Sequence, residues 1–421
     1  MTRCAILIAL QVLLAGSVFA QAGEKPQTVD EINKLSVETT AITISTANNE
    51  MVAALPRLTK LNRLNIGGGF YIPGQESKVG LTDDGLAHLA KLPALAVLIL
   101  NTHPQVTDAG LEHLAKCTAL SKLTISLFPK VTDTGLRKLS KLEKLTEFHL
   151  ERCAEVEGSF LADFSDKLPL KAFSARECQK FGAAGFKALP RFANIEDLYL
   201  ANTQVSVEGV AALVGLKNLK ELTIGGPGTN DAVCAELAKL PALEKLSFGA
   251  TAITDEGGKH LGKIKTLQRL GAWLVKLGDG TLAAFREHKA LRALSLKNAD
   301  VTAVGLAHLK TVQSFEELYL EDITVTADGC KAISEIPTLK KLALRGCAIK
   351  DPALEHLGKM TQLTRLDLTD NMQITDAGVA QLGALTSLTN LELRGAGVTQ
   401  QGVDKLKEKL AKTKIGFKKS K

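Results

Sequence analysis

Residues 92–100 read LPALAVLIL, with leucine at every third residue and then at the two ends of an LxL pair. The same spacing returns at 120–125 (LSKLTI), 243–248 (LEKLSF) and 363–368 (LTRLDL). Each copy is indexed here by the first apolar residue of its LxL pair. The fourteen index positions are 64, 98, 123, 148, 173, 198, 222, 246, 270, 294, 318, 342, 366 and 391. A period of about 24 residues over most of the chain indicates a repeat solenoid.

Each copy combines two periodicities. The LxL half alternates between inward and outward positions, which predicts a short strand. The other half, as in ITDEGGKHLGKI at 253–264, spaces apolar residues three and four apart and predicts a helix. Thr-Asp pairs such as 107–108 and 254–255 supply helix N-caps, and Asp351 before Pro352 is predicted to cap in the same way. Such a unit cannot bury its apolar face alone, so neighbouring units must stack.

The pattern resembles leucine-rich repeats, in the variant found in ribonuclease-inhibitor-like and F-box-associated repeat proteins and in exported bacterial proteins with 24-residue units. The resemblance covers about residues 36–417. It implies an α/β solenoid, a curved horseshoe with a parallel sheet on the concave face and helices on the convex face. It also implies binding of a protein or another macromolecule. Partial copies at 42–44 and 415–417 flank the solenoid, and 21–35 is predicted to be a linker and the start of an N-terminal cap.

The first twenty residues, MTRCAILIALQVLLAGSVFA, have the layout of an export signal. A basic Arg3 precedes an apolar run that is shorter than the roughly 20 residues of a membrane span. Small side chains precede a predicted cleavage between Ala20 and Gln21. We therefore expect an exported protein, located in the periplasm, at the cell surface or in the medium.

The formal net charge of +7 has a defined location. Residues 405–421 hold eight lysines and one glutamate, so the rest of the mature chain is nearly neutral. This distribution argues against a nucleic-acid partner. Two interpretations of the lysines remain open. They solubilise the last repeat, or they attach the protein to an anionic envelope polymer or lipid; residues 418–421 form the end of this basic tail.

No catalytic motif of the GxSxG or HExxH type and no phosphate-binding loop is present, so neither an enzyme nor a cofactor is predicted. Glu147, His149 and Glu151 alternate on one predicted strand and share the concave face. Their spacing is too wide to chelate one metal ion well. A solvated polar strand face is therefore the preferred interpretation, and no metal site is predicted.

Three cysteines, Cys153, Cys178 and Cys347, lie five residues after their index residue. The resemblance implies that this slot holds Asn, Cys or Thr, whose side chains satisfy backbone groups of the turn. Cys153 and Cys178 belong to adjacent repeats, and a strand pitch of about 4.8 Å would bring them within disulfide range. Parallel Cβ vectors would strain such a bridge, so two thiols and a disulfide both remain open.

Residues at −1, +1 and +3 relative to the index residue are predicted to face the concave side. Of the four Trp and Tyr residues, Tyr199, Trp273 and Tyr319 occupy these positions. Charged residues share the face: Arg176, Asp197, Lys297, Glu317, Glu321, Lys341, Arg345, Arg365, Asp367 and Arg394. Because Trp, Tyr and Arg dominate interface hot spots, this face is the predicted binding site. The alternative is that tyrosine simply favours strands.

The first repeat contains an insertion, residues 67–80, that carries Phe70 and Tyr71. It is either a recognition loop or a flap over the N-terminal end of the core. Taken together, the sequence predicts a monomeric, exported, non-enzymatic scaffold for an unidentified macromolecule. The main alternative is a binder of an anionic surface through residues 405–421. A weaker one is an F-box-type substrate receptor, for which the stretch between the signal and the first strand is too short to hold a separate helical module.

Overall fold

The computed structural model describes residues 23–69 and 80–417, which fall in two compact units divided between Leu170 and Lys171. The predicted signal with Ala20 and Gln21, the insertion residues Phe70 and Tyr71, and residues 418–421 lie outside the described residues. Within the described part, no helix is long and apolar enough to cross a bilayer.

The first unit alternates short parallel strands with short helices. Its strands are β1 (Ala41–Ile44), β2 (Arg63–Gly67), β3 (Val97–Asn101), β4 (Lys122–Ser126) and β5 (Glu147–Glu151). Its α-helices are α1 (Val29–Lys34), α2 (Asn49–Ala53), α3 (Asp83–Ala87), α4 (Asp108–Leu114) and α5 (Asp133–Arg137). Short 3-10 helices span Leu55–Arg57, Leu89–Lys91, Lys138–Lys141 and Ser159–Asp163.

The second unit repeats the same alternation. Its strands are β6 (Ala172–Arg176), β7 (Asp197–Ala201), β8 (Glu221–Gly225), β9 (Lys245–Gly249), β10 (Arg269–Trp273), β11 (Ala293–Lys297), β12 (Glu317–Glu321), β13 (Lys341–Arg345), β14 (Arg365–Asp367), β15 (Asn390–Glu392) and β16 (Lys414–Gly416). Its α-helices are α6 (Ala183–Ala188), α7 (Val207–Leu213), α8 (Asp231–Leu237), α9 (Asp255–Leu261), α10 (Asp279–Ala284), α11 (Ala303–Ala307), α12 (Ala327–Ser334), α13 (Asp351–Leu357), α14 (Asp376–Ala380) and α15 (Gln400–Lys409). Its 3-10 helices span Leu189–Arg191, His308–Thr311 and Gln381–Ala384.

The index residues form the core of both units. Each of the fourteen lies at the second position of its strand and is buried. Where another strand follows in the same unit, the index residue pairs in register with the apolar residue at the second position of that strand. Complete burial of one leucine side chain contributes about 2 kcal/mol. The predicted α/β repeat solenoid with parallel strands and alternating helices is confirmed.

The residue four positions after the index residue has a positive backbone φ in most repeats. Asn202, Leu274, Asn298 and Asp322 are examples, and Gly226 and Gly346 occupy the same position elsewhere. A left-handed residue cannot continue an extended strand, so the chain turns here towards the helix layer. The conformation costs a non-glycine residue about 1 kcal/mol, least for Asn and Asp.

In several repeats the next residue, five after the index, hydrogen-bonds the backbone of the preceding repeat; at Thr203 the bond stays within its own repeat, and the Thr251 hydroxyl has no hydrogen-bond partner among the described residues. The Asn371 side-chain amide donates to the Leu344 carbonyl at 2.6 Å, and its oxygen accepts from the Ile349 N–H at 2.9 Å. The Cys347 thiol donates to the Leu320 carbonyl at 3.4 Å. These bonds satisfy backbone groups that strand pairing leaves free.

A histidine that sequence reasoning did not single out fills this slot in the first unit. His103 is fully buried, and its Nε2 lies 3.3 Å from the Ile66 carbonyl. Its Nδ1 accepts from the Leu81 N–H at 3.2 Å, so Nε2 must carry the proton and the ring is neutral. Burial lowers the pKa of His103 from 6.5 to about 4. His103 therefore has the same structural role that Asn371 has in a later repeat.

This arrangement predicts an acid-sensitive fold. Between pH 6.5 and 4, His103 is protonated in the unfolded chain but stays neutral in the folded protein. The free energy of unfolding therefore falls as the pH falls through this range. From pH 7.5 to pH 5 the expected loss is about 2 kcal/mol, measured by urea unfolding. His103→Asn should reduce that pH dependence while keeping the fold. His288 is also buried, and burial lowers its pKa. It should account for a smaller pH dependence that the His103→Asn variant keeps. An unchanged slope in the variant contradicts the assignment.

A second set of contacts links the helix N-termini of successive repeats. Asp108 Oδ1 accepts from the Thr132 N–H at 2.8 Å, and its Oδ2 accepts from the Thr132 hydroxyl at 2.6 Å. We call each such pair a rung. Others are Asp83–Thr107, Asp231–Thr254, Asp279–Thr302, Asp351–Thr375 and Asp376–Thr399. The sequence predicted the threonine caps but missed the rungs, although Thr-Asp pairs recurring at the repeat period were the signal.

The prediction that Asp351 is an N-cap is wrong. Lys350 occupies the cap position of α13 without a side-chain hydrogen bond, and Asp351 is the first helical residue. Its carboxylate is directed to the next repeat, where it accepts from the N–H and hydroxyl of Thr375. The rung requires the aspartate inside the helix, one residue after the cap.

Three described helices, α6, α11 and α12, begin with alanine in place of the rung aspartate, and of these only α11 is followed by a threonine cap in the next repeat. Ala303 stands at the position of Asp279, one repeat before Thr326, whose hydroxyl accepts only the local Gly329 N–H among its described contacts. A cavity of about 220 Å³ lined by Ala303 and Thr326 lies there. A carboxylate at position 303 would extend towards this space.

Ala303→Asp is therefore expected to add a rung and to raise the free energy of unfolding by about 1 kcal/mol. The matched control is Asp279→Ala, which deletes the preceding rung and should lower stability by a similar amount. Urea unfolding at pH 7 measures both. A destabilised Ala303→Asp variant would show that the cavity does not accept the carboxylate.

Candidate functional site

The candidate site is one face of the sheet in the second unit. In β10 the index residue Leu270 and Ala272 are buried, whereas Arg269 is exposed and Trp273 is partly exposed on the other side. Positions −1, +1 and +3 of β6–β16 share this side, which we call the open face. It corresponds to the face that the sequence predicted to be concave.

Trp273 lies flat on the open face because the neighbouring strand has no side chain beneath it. Gly249 pairs in register with Trp273, and a Cβ atom on Gly249 would lie 1.8 Å from the indole Cε2. Gly225 stands beside Gly249 in β8. The indole therefore occupies the space left by a glycine, with bare backbone continuing beyond it.

Leu274, directly after Trp273, breaks two local rules. Its side chain is 49% exposed, and its φ of 54° lies in the left-handed region that disfavours leucine. Most other repeats place a polar or small residue at this turn position. Trp273, Leu274, Gly225 and Gly249 together form what we call the shelf.

Small side chains line the middle row of the open face next to the shelf. Tyr199 and Tyr319 bound this row, and Arg176 lies over the Tyr199 ring at 5.8 Å from its centroid. The residues between the two tyrosines are Thr223, Ser247, Gly271 and Ser295. At about 4.8 Å per strand, the row spans roughly 24 Å.

Glu317 is a structural hub and not a free acidic group. It is buried, and its carboxylate accepts from Arg269 at 2.9 Å, Lys341 at 2.9 Å and the Tyr319 hydroxyl at 3.1 Å. Arg269 reaches it from two strands away by passing over Ala293. Burial alone would raise the pKa of Glu317, but these hydrogen bonds and the Arg269 charge lower it to about 2. Burial and the Glu317 charge raise the pKa of Tyr319 to about 12.

Most other charged residues predicted for this face are also paired. Asp367 is buried and accepts from Arg345 at 2.6 Å. Burial opposes ionisation of Asp367, yet hydrogen bonds from Thr369 and Arg345 lower its pKa. Lys297 pairs with Glu321 at 2.5 Å and with Asp322 at 3.3 Å.

Comparisons with known proteins address the fold. A profile of the family described as Leucine Rich repeat matches residues 359–383. The structure of a leucine-rich repeat protein from Leptospira interrogans aligns with a TM-score of 0.54 at 16% identity, covering 93% of each chain. TLR13 in a complex with ssRNA13 aligns with a TM-score of 0.50 at 15% identity, over 93% of this chain and 72% of its own. An internalin of Listeria monocytogenes aligns at 0.48 and 16% identity, over 98% and 93%. No curated protein matches the sequence.

The fold is a leucine-rich repeat solenoid. Three observations support this conclusion: the matched profile, the two alignments at TM-scores of 0.50 and above, and the sixteen parallel strands in the described residues. At these identities the likeness extends to the fold alone, so the function of this chain must be inferred from its own side chains.

The first unit carries the second predicted polar group. Glu147, His149 and Glu151 alternate on one side of β5. His149 Nε2 lies 3.8 Å from a Glu147 oxygen, and Lys122 pairs with the same carboxylate. The contact with His149, together with the Lys122 pair and against the effect of burial, lowers the pKa of Glu147 to about 2. No group of three His, Cys, Asp or Glu residues suited to a metal ion occurs in the described ranges.

Other predicted residues lie on both units. Asp197 is exposed at the start of β7, and Arg176 pairs with the adjacent Glu177 at 3.2 Å. Cys153 and Cys178 are buried, and each thiol donates to a backbone carbonyl of its own turn, at 3.5 Å and 3.7 Å. These contacts agree with the thiol interpretation; whether the two cysteines pair stays a prediction.

Sequence reasoning missed three residues that shape the site. Arg269 lies at −1 of its strand, so the counting rule that found Lys341 applied to it equally. Gly249 lies at +3 of its strand and pairs with Trp273. Its lack of a side chain was the signal that the indole could lie over this position. Leu274 was the hardest of the three to find from the sequence, because only its positive φ shows that leucine is unfavourable at this turn position.

The hub predicts that Glu317→Gln destabilises the second unit. The amide cannot neutralise Arg269 and Lys341, so the free energy of unfolding at pH 7 should fall by about 2 kcal/mol. The matched control is Glu316→Gln, which removes only the exposed ion pair with Lys340 and should change stability by less than about 0.5 kcal/mol. In the wild type the Glu317 contribution should be lost as the pH falls from 4.5 towards 2. Equal effects of the two substitutions contradict the hub.

Proposed function

We propose that this leucine-rich repeat protein is an exported, non-enzymatic scaffold that binds a protein partner on the open face of its second unit. The shelf is the observation that carries the proposal. Folding gains little from a partly exposed indole and an exposed leucine in a strained turn. Residues that break local rules without a structural gain mark functional sites.

The shelf has the composition of an interface hot spot. Tryptophan is the residue type most enriched in hot spots, and the flat indole offers a rigid apolar contact at low entropic cost. The adjacent row of small residues leaves room above the sheet for the partner's side chains. The paired charges around the hub provide a polar rim.

The shape of the face supports a large partner over a small molecule. The shelf and the small-residue row lie on a sheet surface, whereas the 220 Å³ cavity lies at the helix N-termini beside Ala303. Small-molecule sites are usually enclosed clefts of about 300 Å³ or more. TLR13 was solved with ssRNA13, but the near neutrality of this chain outside its C-terminal lysines does not support an RNA partner.

Export and the extracytoplasmic location rest on residues 1–20. The alternative of an anionic envelope surface bound by residues 405–421 has less support. Helix α15 buries Val403 and Leu406 against the last repeat, as expected of a solenoid cap with outward lysines. Attachment to a lipid or polymer would depend only on the lysines of residues 405–421, whereas the proposed partner binding depends on the shelf.

The proposal predicts that the shelf controls partner capture. Leu274→Asn suits the left-handed turn and removes only the exposed apolar surface, and Trp273→Ala removes the indole. Each should weaken a partner captured from the extracytoplasmic fraction at least 10-fold, since a hot-spot truncation costs about 2 kcal/mol or more. The matched control is Leu127→Asn, the same change at the same turn position in the first unit, which should leave affinity within 2-fold.

Affinity is measured with the purified chain from residue 21 by surface plasmon resonance, and circular dichroism verifies the fold of each variant. If the captured partner binds Trp273→Ala and Leu274→Asn as tightly as the wild type, the shelf is not the binding site. If deletion of residues 405–421 abolishes capture while the shelf variants do not affect it, the anionic-surface alternative replaces the proposal.

A further inference from the structure

The open face becomes basic towards its C-terminal end. The −1 positions of β13, β14 and β16 are Lys341, Arg365 and Lys414, with Asn390 between the last two. Strand register places these four side chains next to one another across neighbouring strands. We call Lys341, Arg365 and Lys414 the basic strip; successive members lie about 5 Å and about 10 Å apart at the backbone.

Two of the three cations of the basic strip have no counter-charge in contact with them among the described residues. Arg365 and Lys414 are exposed and form no ion pair within the part of the chain that the structure describes. The two carboxylates on the same strands have other partners. Asp367 is buried beneath Arg345, and Glu392 pairs with Arg394 at 3.2 Å.

This arrangement is unfavourable for the isolated protein. Like charges on directly paired positions of neighbouring strands repel each other, as Lys341 and Arg365 must do. Lys341 is partly compensated by Glu317, but Arg365 and Lys414 are not. A bound anion would relieve the repulsion, and neither cation is needed for the buried core.

The strip and the shelf lie within reach of one extended segment. Trp273 in β10 and Arg365 in β14 are four strands apart, or roughly 19 Å at 4.8 Å per strand. They are also offset by four residues along the strands, or roughly 13 Å, so their backbones lie roughly 23 Å apart. An extended polypeptide covers that distance with about seven residues, so an apolar side chain on the shelf would place residues about six to eight positions away over the basic strip.

We propose that the partner docks through an acidic polypeptide segment, with an apolar residue on the shelf and carboxylates about seven residues away on the basic strip. This inference rests on the proposed function and specifies its partner. The combination favours a polypeptide because its carboxylates and apolar side chains alternate at side-chain spacing. A sulfated or phosphorylated polymer supplies the charge but nothing for the indole and Leu274.

The sole tryptophan of the chain makes the test direct, because Trp273 reports on the shelf by its fluorescence. The probe is a synthetic peptide with one leucine, five Gly/Ser spacer residues and three glutamates. The comparison peptide carries three glutamines in place of the glutamates. The glutamate peptide should perturb Trp273 fluorescence with at least 10-fold higher affinity, and its affinity should fall as NaCl rises from 50 to 500 mM.

Two charge-matched double variants locate the interaction. Arg365→Glu with Lys414→Glu reverses two charges on the strip, and Lys405→Glu with Lys412→Glu reverses two charges at the outer helix and the turn after it. The first pair should weaken glutamate-peptide binding at least 10-fold and the second less than 3-fold. Circular dichroism and urea unfolding confirm that both variants fold.

The outcomes separate this inference from the proposed function. Equal affinity of the two peptides, no fluorescence change up to 1 mM glutamate peptide, or equal effects of the two double variants each overturns the acidic-segment inference. If captured partner still depends on Trp273 in those cases, the proposed function stands. If dextran sulfate competes with the captured partner and Trp273→Ala has no effect on that partner, both fail.

Discussion

A 24-residue strand–helix unit exposes more apolar surface than it can cover, and every other feature of this protein depends on that constraint. The index leucine of one strand is buried only because equivalent residues stand before and after it. The period must therefore stay nearly constant, since a slip of one residue would turn the leucines to the open face. The inward positions are thereby fixed, and variation is confined to the outward ones.

The polar contacts between repeats follow from the same constraint. The turns leave backbone groups that no strand partner satisfies, and in several repeats a side chain of the neighbouring repeat satisfies them. Asn371, Cys347 and His103 do so with different chemistry at one slot. The Asp–Thr rungs do the same at the helix N-termini. A buried histidine in this role couples the fold to pH, whereas asparagine would not.

The candidate site uses the positions that stacking leaves free. Side chains at −1, +1 and +3 do not pack into the core, so these positions can differ from repeat to repeat. They hold the Trp273 indole above Gly249, the row of small residues and the charged residues. The counting rule alone placed Trp273, Tyr199 and Tyr319 on this face, because alternation along a strand is strict. It could not separate charged groups held within the protein from those available to a partner. Glu317 and Asp367 proved to be internal, and Arg365 remained exposed.

The sequence by itself determined the repeat length, the strands, the helices and which residues face inward, because these follow from local periodicity. Tertiary structure alone decided which charges are neutralised and where the aromatic surface lies. Arg269 meets Glu317 from 48 residues away by crossing Ala293, and Trp273 lies flat because Gly249 of the preceding strand has no side chain. Such outcomes depend on the size and reach of side chains on neighbouring strands, which no single repeat encodes.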